Sequence, residues 1–286
     1  MLENFEKHLY STIFPEHLPK TVYHYTTQGG ILGIIQQGEI WATQVAFLND
    51  KNEVYLTFRL LANELNRRRT ATSDPYMRAL LAELQEILKK VDRTHICISS
   101  FCEEGDLLSQ WRGYGNQGKG YSLGFDLNKL FSAAKKQDFV IWPCVYDNST
   151  HNELVSYLVD CWLQKYGKGR AEYDNMVDDI TSNVCRLAPI LKDRNFKEEK
   201  EWRLVNAAVD VAPSDFSFRE GAFAIIPYLA FKLGFRESEN QCLEKIVLGP
   251  TPHKKLALNS TRMFLQANGL KNTEVVLSSI PFRNWK

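Results

Sequence analysis

Short β-branched and aromatic runs alternate irregularly with helical periods along this chain of 286 residues, and that interleaving narrows its possible folds more than any other feature. Thr21 to Thr26 (TVYHYT) reads as a strand, broken by Gly29-Gly30 before ILGIIQQG, a helical turn or two closed by Gly38, and a second strand follows at Ile40 to Val45. Asn49-Asp50 with Glu53 three residues after Asp50 resembles a capping box, and Val54, Phe58, Leu61 and Leu65 step at helical spacing toward Arg67, Arg68 and Arg69. Asp74-Pro75 starts a further helix with a core stripe from Met77 to Leu88. Strands are expected at His95 to Phe101, Tyr121 to Phe125, Phe139 to Tyr146, Lys200 to Ala208, Ala222 to Ile226, Ile246 to Leu248 and Val275 to Ile280. Helices are expected at Leu107 to Tyr114, around Leu154 to Leu163, from Tyr173 to Leu187 and after Pro252. No repeat or linker separates these pieces, so the expectation is one α+β domain over residues 1–286, with a mixed sheet and a helical insertion at about 150–192.

Composition removes several classes of function. A net charge of +1 gives no global field for polyanions, so any nucleic-acid contact must come from a local patch. Cysteines 97, 102, 144, 161, 185 and 242 form no CxxC pair, and only His95 lies near any of them, which argues against disulfide scaffolds and zinc ribbons. The N-terminus lacks a basic start followed by an apolar run, and Ala222 to Phe231, the most apolar stretch, contains Pro227 and is about half a membrane span. The expectation is a soluble, cytoplasmic protein without a membrane partner. The three arginines at 67–69 suit a helix C-terminus and are read as a solvated end before a phosphate site.

GYGNQG at Gly113 to Gly118 matches GxGxxG in the wrong context. A dinucleotide fingerprint needs a strand before the glycines and a helix after, whereas here a helix precedes and a strand follows. No P-loop, GxSxG elbow or HExxH helix is present. Phe196 to Val205 (FKEEKEWRLV) is more informative: as a strand it places Glu199, Glu201 and Arg203 on one face and Lys200, Trp202 and Leu204 on the other. Two glutamates so spaced repel, raising at least one pKa unless the arginine or a ligand compensates; the plain alternative is a structural salt bridge. The same stretch holds Glu198-x-Lys200, an alternation used by Mg²⁺-dependent nucleases, without an aspartate on a neighbouring strand to complete it. Tyr23-His24-Tyr25-Thr26 lies at the first glycine break, and Trp111, Arg112 and Tyr114 lie on a short helix before a glycine turn. Such aromatics stack on a planar ring or pack against the sheet.

Together, YHYTT, GEIW with FLND and Glu53, SSFCEEGDLLSQWRGYG, KGYSLGFD, FKEEKEWRLV, and EKIVLGP with SSIPFR resemble the bacterial family called domain of unknown function 2971, over residues 21–284. Some members of that family lie near defence or abortive-infection genes. A fainter resemblance is to the ADP-ribosyltransferase superfamily, and within it to the DarT-like enzymes, carried by Tyr23, His24, Thr26, Ile31 to Ile35 and Gly38. This second resemblance implies a split mixed sheet and NAD as substrate with no metal. It implies contacts to NAD from His24 with its neighbours Tyr25 and Thr26, and a nicotinamide-stacking aromatic at Trp111 or Tyr114. It further implies Glu201 as catalytic carboxylate with Glu199 beside it, and Arg203 orienting that pair or binding pyrophosphate. His24 and Glu201 would then face one cleft. The acceptor, protein or nucleic acid, stays open, and a toxin or phage-defence role follows from the family alone. The rival readings are a Mg²⁺-dependent nuclease and a non-catalytic nucleotide- or partner-binding module.

Overall fold

The computed structural model describes residues 2–48, 53–91, 96–114, 120–168, 172–206, 211–235 and 241–281. In chain order the helices are α1 (Leu2–Ile13), α2 (Gln28–Gln37), α3 (Glu53–Ala71), α4 (Pro75–Lys90), α5 (Leu108–Gly113), α6 (Leu127–Lys135), α7 (Asn148–Tyr166), α8 (Tyr173–Leu187) and α9 (Lys254–Ala267). The strands are β1 (Thr21–Thr26), β2 (Glu39–Gln44), β3 (Cys97–Cys102), β4 (Tyr121–Asp126), β5 (Phe139–Pro143), β6 (Glu201–Asn206), β7 (Ser217–Arg219), β8 (Ile226–Lys232), β9 (Leu243–Leu248) and β10 (Glu274–Leu277). The class is α+β. Strand order is β10-β9-β4-β1-β3-β2-β8-β7, with β6 on β3 and β5 on β6. Among the strands of the described residues β9 and β10 run parallel and the other pairs antiparallel, so the sheet is mixed as the sequence suggests.

Local chemistry sets the element ends. Thr27 caps α2 by accepting the Gly30 N–H at 3.1 Å, and Gly38 ends it in the left-handed region at φ 72°, donating to the Ile34 carbonyl. A Cβ on Gly30 would overlap Thr26 Oγ1, so glycine is what lets α2 start directly against β1. Gly29-Gly30 therefore lies inside the helix instead of breaking the chain before it. Asp74, Asp126 and Asp147 cap α4, α6 and α7 in the same manner.

The sheet has a core on each face. Ile98 and Val205 project into the core formed with α1, α3, α4, α7 and α8. Cys97, Phe101, Trp202 and Leu204 project into the other, built with α2, α6 and α9. Two helices, α1 and α6, go beyond the sequence reading. The first buries Phe5, Leu9 and Ile13, four residues apart, and the second buries Leu127, Leu130 and Ala134. One expected strand is displaced. Residues 222–225 are exposed bends of the β7–β8 hairpin, with Phe223 at 102% exposure, and pairing begins at Ile226, opposite Arg219. Gly221 and the reversal of direction consume the apolar residues that looked like a strand. The expected capping box at Asn49-Asp50 and the strand start at His95 lie outside the described residues, as do residues 115–118 of the glycine turn.

The sheet splits at β3. One edge of β3 carries β6 along Ile98–Cys102. The opposite edge is shared: β2 pairs only with Cys97 and Ile98, and β1 only with Cys102. Ser99, Ser100 and Phe101 therefore pair with neither strand there, and β1 and β2 diverge from β3 as two arms joined by α2.

Candidate active site

His24 occupies the split. Its Nδ1 lies 2.9 Å from the Ser100 carbonyl oxygen, one of the groups left without a ladder partner. A carbonyl only accepts, so Nδ1 carries the hydrogen and Nε2 is the acceptor of the neutral ring. Burial lowers the imidazole pKa below 6.5, outweighing the opposing effect of the carbonyl, so the ring is neutral at pH 7. Phe101 lies beside it, ring centroids 5.7 Å apart.

The aromatic candidates have different fates. Tyr25 is buried; its hydroxyl donates to the Glu104 carbonyl at 2.8 Å and accepts from the Leu107 N–H at 2.9 Å, so it joins β1 to the loop before α5. Burial pushes its pKa up. Trp111 is 0% exposed, with its edge on Tyr25 and its indole N–H donated to Asp106 at 2.8 Å. It has no ring face to lend to a ligand and serves as packing. Tyr114, the C-cap of α5, is 45% exposed and is the more exposed aromatic of the pair. Thr26 lies against Gly30 at the start of α2. Asp106, missed in the sequence, accepts from Trp111, from Ser278 Oγ at 2.5 Å, and from both N–H and Oγ of Ser279. Burial raises its pKa, but these donors outweigh that and hold it below 3.8. SSIPFR was legible as a motif, but its partner 172 residues away was not.

The carboxylate face differs from a regular strand. Residues Arg194–Glu199 form a 3-10 turn, Lys200 is left-handed at φ 41°, and β6 begins only at Glu201. Glu198 and Lys200 thus lie on no strand, and the alternation behind the nuclease reading is absent. Glu199 nevertheless converges with Glu201, because both accept from Lys192 Nζ. Arg203 Nε and Nη2 fork onto the two oxygens of Glu201 at 2.8 and 3.1 Å, and Nη1 donates to the Pro189 carbonyl at 2.5 Å. Lys192, Glu201 and Arg203 are 3%, 4% and 2% exposed. Burial alone would raise the Glu201 pKa, yet Arg203 and Lys192 hold it down at about 2. The arginine compensates, as the spacing argument allows, and it is joined by Lys192, which follows the apolar stretch 187–191 and which the sequence reading does not single out. The guanidinium is engaged, so Arg203 orients Glu201 and has no fork left for pyrophosphate. The Tyr146 hydroxyl accepts the Glu201 N–H at 2.8 Å.

Strand alternation separates the two halves of the expected site. Tyr23 stands opposite Cys102, and Cys102 opposite Glu201, so Tyr23, Tyr25, Glu201 and Arg203 share one face. His24 shares the other face with Val22, opposite Leu123. His24 and Glu201 do not meet over a common surface. They sit on strands either side of β3, two strand spacings or about 10 Å apart in the sheet, and communicate only through the split. Cys102, between them, has its thiol pKa pushed up by burial and by Glu201, and none of the six cysteines forms a disulfide. Of the α3 arginines, Arg67 is exposed and bonds Glu64 and Arg69 bonds Asn66, whereas Arg68, with its side chain 17% exposed, bonds Glu64 and crosses to Asp160 and Ser156 of α7, an interhelical tie that the solvated-end reading does not expect. Among the described residues no three His, Cys, Asp or Glu side chains are placed to hold a metal ion, and no helix is long and apolar enough to cross a membrane.

Comparison with known proteins adds a family over the middle of the chain. Residues 110–204 match the model of the family described as Protein of unknown function (DUF2971). The match spans α5 through the first residues of β6, so it includes Trp111, Tyr114, Lys192, Glu199, Glu201 and Arg203, and the resemblance read from the motifs holds there. No curated protein matches in sequence. Two solved structures align over most of the chain: Thermus sp. 2.9 DarT in complex with NAD+, at 11% identity over 92% of this chain and 96% of that one, and the same protein in complex with ADP-ribosylated ssDNA, at 12% identity over 93% and 96%. Both have a TM-score of 0.35, too low to establish a shared fold or site.

Proposed function

We propose that the chain is an NAD⁺-consuming enzyme of the ADP-ribosyltransferase type, working as one α+β unit with the split at β3 as its ligand cleft. The observation that carries this reading is His24, a neutral imidazole fixed through Nδ1 to the unpaired Ser100 carbonyl, which leaves Nε2 as an acceptor for a ribose hydroxyl. The motif resemblance supports the same assignment. In this chemistry the C1′–N bond to nicotinamide breaks, the ring leaves with the electron pair, and the positive charge developing on the ribose is stabilised by a carboxylate. Glu201, kept ionised by Arg203 and Lys192, supplies that charge. Glu199, the less buried of the two, takes the proton from the acceptor as its oxygen or nitrogen bonds C1′. Tyr114 stacks on the nicotinamide, with Thr26 shaping the wall on the face of His24 and Tyr25 supporting the opposite face. The acceptor is a protein or a nucleic acid, and a toxin or phage-defence role belongs to the same reading. No metal takes part in the proposed step.

A second reading, a non-catalytic nucleotide-binding module, is favoured by the engagement of both Glu201 oxygens and by the opposite faces of His24 and Glu201. NAD⁺ hydrolysis in EDTA, followed alongside the NAD⁺-dependent rise in melting temperature, separates the two. The enzyme reading expects turnover, with His24→Ala raising KM more than it lowers kcat. A melting shift without turnover selects the module, and the absence of both at millimolar NAD⁺ ends the proposal.

A further inference from the structure

The β7–β8 hairpin brings an arginine to the vertex of the split. Arg219 Nη2 donates to Thr43 Oγ1 at 3.3 Å, and Thr43 pairs with Ile98 at the point where β2 leaves β3. The guanidinium carbon lies 5.9 Å from the centroid of Trp41, whose other ring contact is a stack on Tyr228 at 4.4 Å and 27°. The Trp41 indole N–H is donated to Glu39 at 3.0 Å, which fixes the plank against which the guanidinium rests.

A guanidinium held near an aromatic plank keeps its N–H donors in its own plane, pointing past the ring. Arg219 has five such donors and uses one. Its Nε is closed off from solvent without a partner, and among the described residues no carboxylate pairs with it. The other buried cations of this face differ: Lys192 and Arg203 are balanced by Glu199 and Glu201. Among the described residues Arg219 is therefore a positive fork without a paired carboxylate beside the cleft. It lies on the face that carries Glu201: Thr43 and Val205 flank Ile98, two strand spacings or about 10 Å apart, and Val205 is four residues or about 13 Å along β6 from Glu201, so Thr43 and Glu201 are about 16 Å apart. That separation is within the span of a dinucleotide.

We infer that Arg219, held by Trp41 and Thr43, is the diphosphate-binding group of the split and takes the phosphates of a nucleoside diphosphate. It fills the role from which Arg203 is withdrawn by its fork onto Glu201 and its bond to the Pro189 carbonyl. Naming the ligand as the diphosphate of a nucleotide rests on the NAD⁺ reading; the anion-binding fork rests on the geometry alone.

Calorimetric titration of ADP, inorganic pyrophosphate and adenosine into the wild type, Arg219→Gln and Arg219→Lys tests this, with circular dichroism confirming the fold. ADP affinity is expected to fall about tenfold or more in both variants, while adenosine binding is unchanged. Should Arg219→Gln disturb the hairpin, Arg219→Lys carries the test, since its ammonium keeps the charge without the planar fork. Pyrophosphate binding that falls in parallel with ADP assigns the contact to the phosphates. ADP binding equally well to wild type and variants, or not binding the wild type at millimolar concentration, overturns the assignment. Loss of ADP binding in the variants with no NAD⁺ turnover by wild type leaves the diphosphate site standing and removes the enzyme reading. NAD⁺ turnover with an unchanged KM in Arg219→Gln does the reverse.

Discussion

Replacing Glu201 by Gln removes one of two anions from a buried group in which Lys192 and Arg203 exactly match Glu199 and Glu201 in charge. The amide keeps the shape and one acceptor oxygen, but two cations then face a single carboxylate under the sheet. Stranding a buried charge by deleting its partner costs about 3–5 kcal/mol. That is a large share of the roughly 5–15 kcal/mol by which a folded protein is stable. In urea, with a slope of about 3 kcal/mol/M, the midpoint should drop by about 1–1.7 M, read by tryptophan fluorescence. Adding Lys192→Met restores neutrality, so the double variant should recover about 1–3 kcal/mol relative to the sum of the singles. The pH dependence follows with a definite sign. Because the folded pKa of Glu201 is depressed from 4.5 to about 2, its contribution is complete above the unfolded value and is lost as pH falls through that window. Glu201→Gln should remove that part of the acid transition. A Glu201→Gln midpoint equal to wild type, or strict additivity with Lys192→Met, would refute the coupled cluster.

Three further outcomes follow from the contacts around it. Gly124→Ala places a methyl against the Tyr23 ring and Thr21, and should cost about 1–3 kcal/mol by thermal or urea unfolding; a neutral result means β4 shifts freely beside β1. Thr27→Ala removes the cap of α2 and should cost about 1 kcal/mol, checked by the same unfolding curves. Tyr114→Ala should weaken the NAD⁺-dependent melting shift, whereas Trp111→Phe should lower stability and leave NAD⁺ affinity unchanged, a contrast that isothermal titration reads directly.

Much of the architecture was legible because local signals and burial agreed. TVYHYT, the closing Gly38, the Asp74-Pro75 cap and the stripe of α4 each combine a propensity with a stop or start. The charged side of EWRLV was legible too, since Glu201 and Arg203 do share a face. What stayed hidden depends on contacts distant in sequence. Lys192 lies in an unremarkable stretch until folding carries it under Glu199 and Glu201, where it joins Arg203 in holding the Glu201 pKa down. Trp111 and Tyr114 are three residues apart on one short helix, and only packing decides that the first is core and the second open. The faces of His24 and Glu201 depend on which strands neighbour β3, which no local pattern encodes.

The four hydrogen bonds converging on Asp106 also bear on how the chain is made. Ser278 follows Asp106 by 172 residues, so at about 5–20 residues per second a ribosome needs roughly 10–35 s to supply the hydroxyl after the carboxylate has emerged. Over that interval β1 can already pair with β3 and β4, while the buried end of Trp111 lacks the seryl clasp that finishes its surroundings. Nascent chains stalled before Ser278 should therefore hold a formed β1–β4 ladder around an aromatic centre still open to protease, and a segment made long after that ladder is the one that seals it.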